Sequence, residues 1–104
     1  MKLSPLNVLA LLRRHGLRAN KSLGQNFLVD EGALAKVAAV ASLTDRDTVL
    51  EIGPGLGSLT RHLAAAAQRV VAVELDEKLR PALESVLRPF TNVEVRYGDI
   101  LTVP

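Results

Sequence analysis

The residues of this chain best suited to chemistry lie in three short stretches. They are EIGPGLG (Glu51 to Gly57), VVAVELD (Val70 to Asp76) and VRYGDIL (Val95 to Leu101). Each contains or follows an apolar, β-branched run, and each carries glycine, acid or both. That is how a parallel sheet presents a nucleoside-bearing ligand at the carboxyl ends of its strands. Gly53, Gly55 and Gly57 let the backbone turn sharply and approach a ligand without Cβ atoms in the way. Glu74 falls 21 residues after Gly53, at a strand end where a carboxylate can accept both hydroxyl protons of a ribose. That spacing serves S-adenosylmethionine and NAD alike, because both carry the same ribose.

Two further acids separate those ligands. Glu51 stands two residues before the first glycine in an otherwise apolar strand. A carboxylate there suits a cofactor with a cationic sulfonium and an ammonium, and would repel a pyrophosphate. Asp99 follows the third apolar run and can accept a hydrogen bond from an adenine amino group. Ser58 also stands where a dinucleotide loop would place its third glycine. Each feature has a plainer alternative: a tight strand-to-helix connection for the glycines, a solvated acid for Glu74, a turn former after Gly98 for Asp99.

These positions require alternating strands and helices to hold them. Thr48 to Ile52 reads as the first strand, Arg69 to Leu75 as a second buried on both faces, and Asn92 to Tyr97 as a third. Ser58 to Ala67 reads as a helix, with Leu59 and Leu63 one turn apart and four alanines where a neighbour packs closely. A further helix runs to about Arg88, with Pro81 in its first turn or at a short kink. Ahead of the sheet, Ser4-Pro5 predicts a helix start, Leu6, Leu9, Ala10 and Leu12 its apolar face, and Gly16 its stop. Residues 17 to 28 read as a loop. Asp30 is expected to cap a second helix carrying Leu34, Val37, Ala38 and Ala41, and Thr44 to Asp47 to turn the chain into the first strand. The order α-α-β-α-β-α-β is the opening half of a doubly wound α/β sheet, three parallel strands preceded by two helices.

Composition narrows the class. With 104 residues, a chain buries roughly two-thirds of the surface its unfolded form exposes. Hydrophobic residues make up 48% but aromatics only 3%, so Ala, Val and Leu must build the core. Without cysteine, disulfides, thiolate metal sites and a Cys nucleophile are excluded together. No apolar run approaches the ~20 residues that span a bilayer, and Met1 to Ala10, with one lysine and no small-residue cleavage site, is not expected to be a secretory signal. A cytoplasmic protein without membrane or metal partners is the simple expectation. Charge is uneven: residues 1 to 28 hold five basic side chains (Lys2, Arg13, Arg14, Arg18, Lys21) and no acid, while the remainder carries 8 basic and 11 acidic groups. A basic arm on a mildly acidic body fits a polyanion partner, or simply a solvated helix.

Taken together, these motifs resemble the N-terminal half of the ribosomal RNA adenine N6,N6-dimethyltransferases. Glu51 to Gly57 is similar to that family's first cofactor motif, Glu74 to its ribose-binding acid and Asp99 to its adenine-binding acid. KSLGQNFL (Lys21 to Leu28) is the most distinctive match, resembling the segment that closes over the cofactor. The resemblance implies that Asn26 and Leu28 contact S-adenosylmethionine, with Gln25 and Phe27 shaping the lid. Gly-Pro-Gly-Leu-Gly and Leu-Gly-Gln-Asn-Phe-Leu look more like the small-subunit enzyme than its antibiotic-resistance relatives. The fold implied is Rossmann-like, of the class I methyltransferase type. Residues 1–28 would form a basic helix and lid loop, and 29–104 a partial cofactor domain. The implied partner is small-subunit rRNA or the pre-30S particle, with Arg13, Arg14, Arg18 and Lys21 on its phosphates.

The family also implies a catalytic Asn-aliphatic-Pro-aromatic motif after a fourth strand, and nothing in this sequence matches it. Asn92 is followed by Val93-Glu94 and precedes a strand. No catalytic residue is therefore assigned, and the chain is expected to be a truncated copy without methyl transfer of its own. The unpartnered apolar edge of the first strand (Val49, Leu50, Ile52) is expected to invite association. The alternatives are an NAD(P)-dependent Rossmann oxidoreductase, which leaves Glu51 and Ser58 unexplained, and a non-catalytic cofactor- or RNA-binding module.

Overall fold

In the computed structural model, which describes residues 3–18 and 30–102, Thr48–Ile52 (β1), Arg69–Glu74 (β2) and Val93–Tyr97 (β3) form one parallel sheet in the order β1-β2-β3. The remaining elements are α1 (Val8–Arg14), α2 (Glu31–Val40), α3 (Ser58–Ala66) and α4 (Arg80–Leu87), the last entered through a 3-10 turn, Glu77–Leu79. The three expected parallel strands and the helices between them are present.

Register decides which side chains share a face. Val49, Val70 and Val93 stand side by side, as do Glu51, Ala72 and Val95 in the next row. Strand side chains alternate between faces, so Leu50, Val71 and Glu94 occupy the opposite side with Ile52, Val73 and Arg96. The first face carries the core: Val70 joins Leu63, Ala64 and Ala67 of the α3 region and Ala38 of α2, with Val49, Phe90 and Val93 packed around them. The expected close approach at the alanine run is thus made by β2 and α2. On the opposite face Leu50 and Ile52 are 59% and 63% exposed, and β1 is an edge strand of the sheet.

A second cluster anchors the glycine loop. Leu56, from its centre, is fully buried against Leu79, Ala82 and Val8, with Leu6, Leu11, Leu12 and Leu17 around them. Burying a leucine side chain of this kind contributes about 1.5–3 kcal/mol. Pro81 sits in the first turn of α4, where its missing N–H costs no helical bond.

The N-terminal helix differs from expectation. Its cap is Asn7, whose side chain accepts the Ala10 N–H at 3.0 Å, and Ser4-Pro5 lies ahead of the helix, outside it. The buried face also differs: Val8 is buried with Leu11 and Leu12, three and four residues on, packed around it, and Leu9 is 65% exposed. Gly16 does end the helix, at φ +63°. The Gly16 N–H reaches Arg13 O and the Leu17 N–H reaches Leu12 O at 2.8 Å, a Schellman closure that satisfies the last carbonyls. Asp30 caps α2 as expected, accepting the Ala33 N–H at 3.1 Å; Leu34 and Ala38 are buried there, but Val37 is 51% exposed. The loop ahead of β3 also acts on α3: Asn92 donates its side-chain amide to Ala64 O and Ala67 O, at 2.8 and 3.1 Å. That gives Asn92 a capping role at the helix end.

Candidate cofactor site

The backbone at the carboxyl ends of the strands extends the parallel ladder by one step before the loops begin. Gly53 donates its N–H to Val73 O at 2.8 Å, and Gly98 to Glu74 O at 2.9 Å. Gly53, Gly55 and Gly57 all take positive φ, at +75°, +62° and +83°, a region that side chains disfavour. Their neighbourhoods differ. A Cβ on Gly53 would meet nothing within 4 Å, whereas one on Gly57 would lie 3.1 Å from Leu83 and 3.3 Å from Leu87 and Val86. Gly57 therefore lets α4 pack on the start of α3, and Gly53 keeps open space above β1.

Glu74 is the centre of the arrangement. It is 5% exposed at the end of β2, and its two carboxylate oxygens accept separate backbone N–H groups. Gly55 donates to Oε1 and Asp76 to Oε2, each at 2.9 Å. An ionised carboxylate offers about four acceptor positions, so it can hold the loop and still accept a ligand's hydroxyls. Residues Gly53 and Glu74 line a cleft of about 370 Å³ together with Gly98 and Asp99. Asp99 uses Oδ1 to accept the Leu101 N–H at 2.9 Å. It thus forms a turn, as the plainer alternative had it, and lies in the cleft as well.

Apolar walls complete the cleft and were not anticipated. Ile52, Leu75 and Ile100 line it while being 63%, 53% and 37% exposed. Leu75 lies beyond β2, which ends at Glu74, one residue short of the expected boundary. The signal was present: a large aliphatic residue directly follows each acid, as Glu74-Leu75 and Asp99-Ile100. Aliphatic side chains at solvent beside buried polar groups are the composition of a small-molecule site.

Glu51 sits on the core-facing side of β1; it is not among the residues that line the cleft, but it is close enough to Glu74, which does, to feel its charge. Burial pushes its carboxyl above the usual carboxylate range, an effect opposed by a hydrogen bond from Thr60 and reinforced by the nearby charge of Glu74. The Thr60 hydroxyl, on α3 and fully buried, donates to Glu51 Oε1. Thr60 was missed in the sequence because only the packing of α3 on β1 brings residues nine apart into contact.

Of the basic residues, none that the structure describes lines the cleft. Arg13 and Arg14 are exposed in the last turn of α1, and Arg18 is exposed beyond it. Lys21, Asn26 and Leu28 lie outside the described residues, as do Gln25 and Phe27. Arg61 ties the N-terminal segment to this body: it is 7% exposed, donates to Ser4 O and stands 3.9 Å from Glu31, which also pairs with His62 at 3.0 Å. Among the described residues no helix is long and apolar enough to cross a membrane.

Comparison with known proteins accounts for this geometry. Residues 16–104 match the family model described as ribosomal RNA adenine dimethylase. The chain is 43% identical over 98 residues to the ribosomal RNA small subunit methyltransferase A of Lysinibacillus sphaericus, covering 94% of this chain and 33% of that protein. Its counterpart in Pelotomaculum thermopropionicum is 52% identical over 100 residues, covering 96% and 34%. The crystal structure of the 23S rRNA methyltransferase ErmE superposes with a TM-score of 0.70 at 42% identity, covering 75% of this chain and 32% of that one. The chain spans about a third of the length of the curated relatives it matches. By motif, fold and similarity it belongs to the ribosomal RNA adenine dimethylase family.

Proposed function

We propose that this chain is the S-adenosylmethionine-holding part of an enzyme that dimethylates N6 of two adjacent adenosines in small-subunit rRNA. The observation that carries the reading is the Glu74 carboxylate, which joins the glycine loop to the turn after β2 through Gly55 and Asp76. Its position at the rim of the cleft suits the hydroxyls of a ribose. The residues present fit the rest of the group. Open space over Gly53 admits the body of the ligand, and the exposed walls Leu75 and Ile100 suit the faces of an adenine. Asp99 suits its amino group, and Glu51 its cationic end. In this reading Asn26 and Leu28 add contacts from the lid.

When bound, the cofactor supplies an electrophilic methyl group on a sulfonium. The residues of this chain bind and orient that donor: Glu74 fixes the ribose, Asp99 the base, and the glycine loop the direction of entry. An adenine N6 is a poor nucleophile because its lone pair is delocalised into the ring. Methyl transfer therefore also needs groups that hold the acceptor base flipped out and in line, the role that the resemblance gives to an Asn-aliphatic-Pro-aromatic motif not found in residues 1–104. Arg13, Arg14, Arg18 and Lys21 would supply phosphate contacts to the rRNA of a pre-30S particle in the cytoplasm.

Calorimetric titration of the chain with adenosylmethionine and with NAD tests the reading. Saturable binding of adenosylmethionine without NAD binding is expected. Preference for NAD would replace this proposal with the oxidoreductase alternative.

A further inference from the structure

One buried polar group on α3 has no part in the family motif as read from the sequence. Thr60 is fully buried, and its hydroxyl is spent on a single acceptor, Glu51 Oε1. A buried hydroxyl that bonds a carboxylate both satisfies itself and fixes the acid's rotamer. Among the described residues, the charged group that acts on Glu51 is Glu74 on β2, while α3 presents the neutral Thr60 hydroxyl. The next residue, Arg61, is engaged elsewhere with Ser4 and Glu31.

We propose that Thr60 is a positioning residue for the charged end of the cofactor: it holds the Glu51 carboxylate beside the glycine loop, where that carboxylate discriminates a cationic ligand from a neutral one. This rests on the adenosylmethionine reading above. Glu74 and Asp99 serve the adenosine end, which every adenosine ligand shares. Glu51, set by Thr60, serves the end that only the charged ligand has. Two acids close enough to feel each other repel when both are ionised, and an arriving cation relieves that repulsion. Cation binding therefore favours the ionised form of Glu51 and releases its proton to solvent when the group was protonated beforehand. The hydrogen bond from Thr60 favours the same ionised form, so it lowers the pH at which the site is ready.

The test uses the whole chain and two probes, adenosylmethionine and the neutral 5′-methylthioadenosine, titrated calorimetrically from mildly acidic to neutral pH. The wild-type chain should bind adenosylmethionine more tightly as pH rises, with methylthioadenosine unaffected. Thr60→Val removes the hydroxyl at nearly constant shape. It should weaken adenosylmethionine roughly tenfold, move its pH dependence upward and leave methylthioadenosine binding unchanged, with Thr60→Ser restoring the wild-type profile. Equal loss of both probes, or no loss of adenosylmethionine, would overturn the proposal. If Thr60→Val does not fold, Glu51→Gln, which keeps an acceptor for Thr60, should abolish the pH dependence; its persistence would likewise overturn the assignment. Failure of the wild-type chain to bind either probe would instead remove the cofactor reading itself, and this inference with it. Binding of both without discrimination would leave the cofactor reading intact and refute only the role of Thr60.

Discussion

Gly55 donates its backbone N–H to Glu74 Oε1 at 2.9 Å, so the acid that ends β2 also fixes the loop that follows β1. In the proposed reading, structure and ligand binding share this one carboxylate. Removing it should damage both: Glu74→Ala leaves the Gly55 and Asp76 N–H groups without their acceptor. It is expected to lower the unfolding free energy by about 2 kcal/mol and to abolish adenosylmethionine binding. Urea unfolding and calorimetry measure the two effects, and Glu74→Gln should lose the second more than the first.

The glycines should divide in the same way. Gly57→Ala places a methyl 3.1 Å from Leu83 at φ +83°, combining a clash with backbone strain. A loss of about 2–3 kcal/mol is expected in chemical unfolding. Gly53→Ala meets no neighbour and pays only the left-handed strain, about 1–2 kcal/mol, yet it narrows the space over β1. Its larger effect should appear in ligand affinity.

Glu51 predicts a pH dependence of stability. Burial raises its carboxyl in the folded chain above the unfolded value, so the folded state binds more protons between the two. The contribution is fully present below the ordinary carboxylate range and is lost as pH rises through the folded value. Unfolding curves without ligand should show this decline, and Glu51→Gln should flatten it. An unchanged slope in that variant would assign the effect to another group.

The basic arm is testable by salt. Arg13 and Arg14 are exposed on α1, whose apolar side is docked on Leu56 and Ala82 through Val8. Reversing both charges should weaken RNA binding and reduce the slope of log affinity against log salt by about one for each arginine that meets a phosphate. Fluorescence anisotropy on a small-subunit rRNA fragment reads this directly. Unchanged affinity would remove the arm from RNA recognition.

The edge of β1 carries a prediction about association. Leu50 and Ile52 are more than half exposed on a strand that, among the described residues, pairs on one side only. Leu50→Lys should reduce self-association in sedimentation or light scattering without loss of thermal stability, because a charged edge resists strand addition.

The sequence by itself determined the strands, the glycine loop and the positions of Glu74 and Asp99 at or just past strand ends, because those signals are local. β-branched runs, a glycine cluster and a fixed interval of 21 residues from Gly53 to Glu74 survive in one dimension. It also carried the caps at Asp30 and Gly16, where side-chain or backbone chemistry acts within one turn. It misplaced the start of α1, since Ser4 and Asn7 are both good cap residues and the helix begins at the second. Only the tertiary structure decided which glycine serves packing, through the contact of Gly57 with α4. It alone showed that Glu74 holds the glycine loop on one oxygen and the turn after β2 on the other, and that Thr60 holds Glu51. Those relationships join residues on different elements, and they exist only when the helices pack against the sheet.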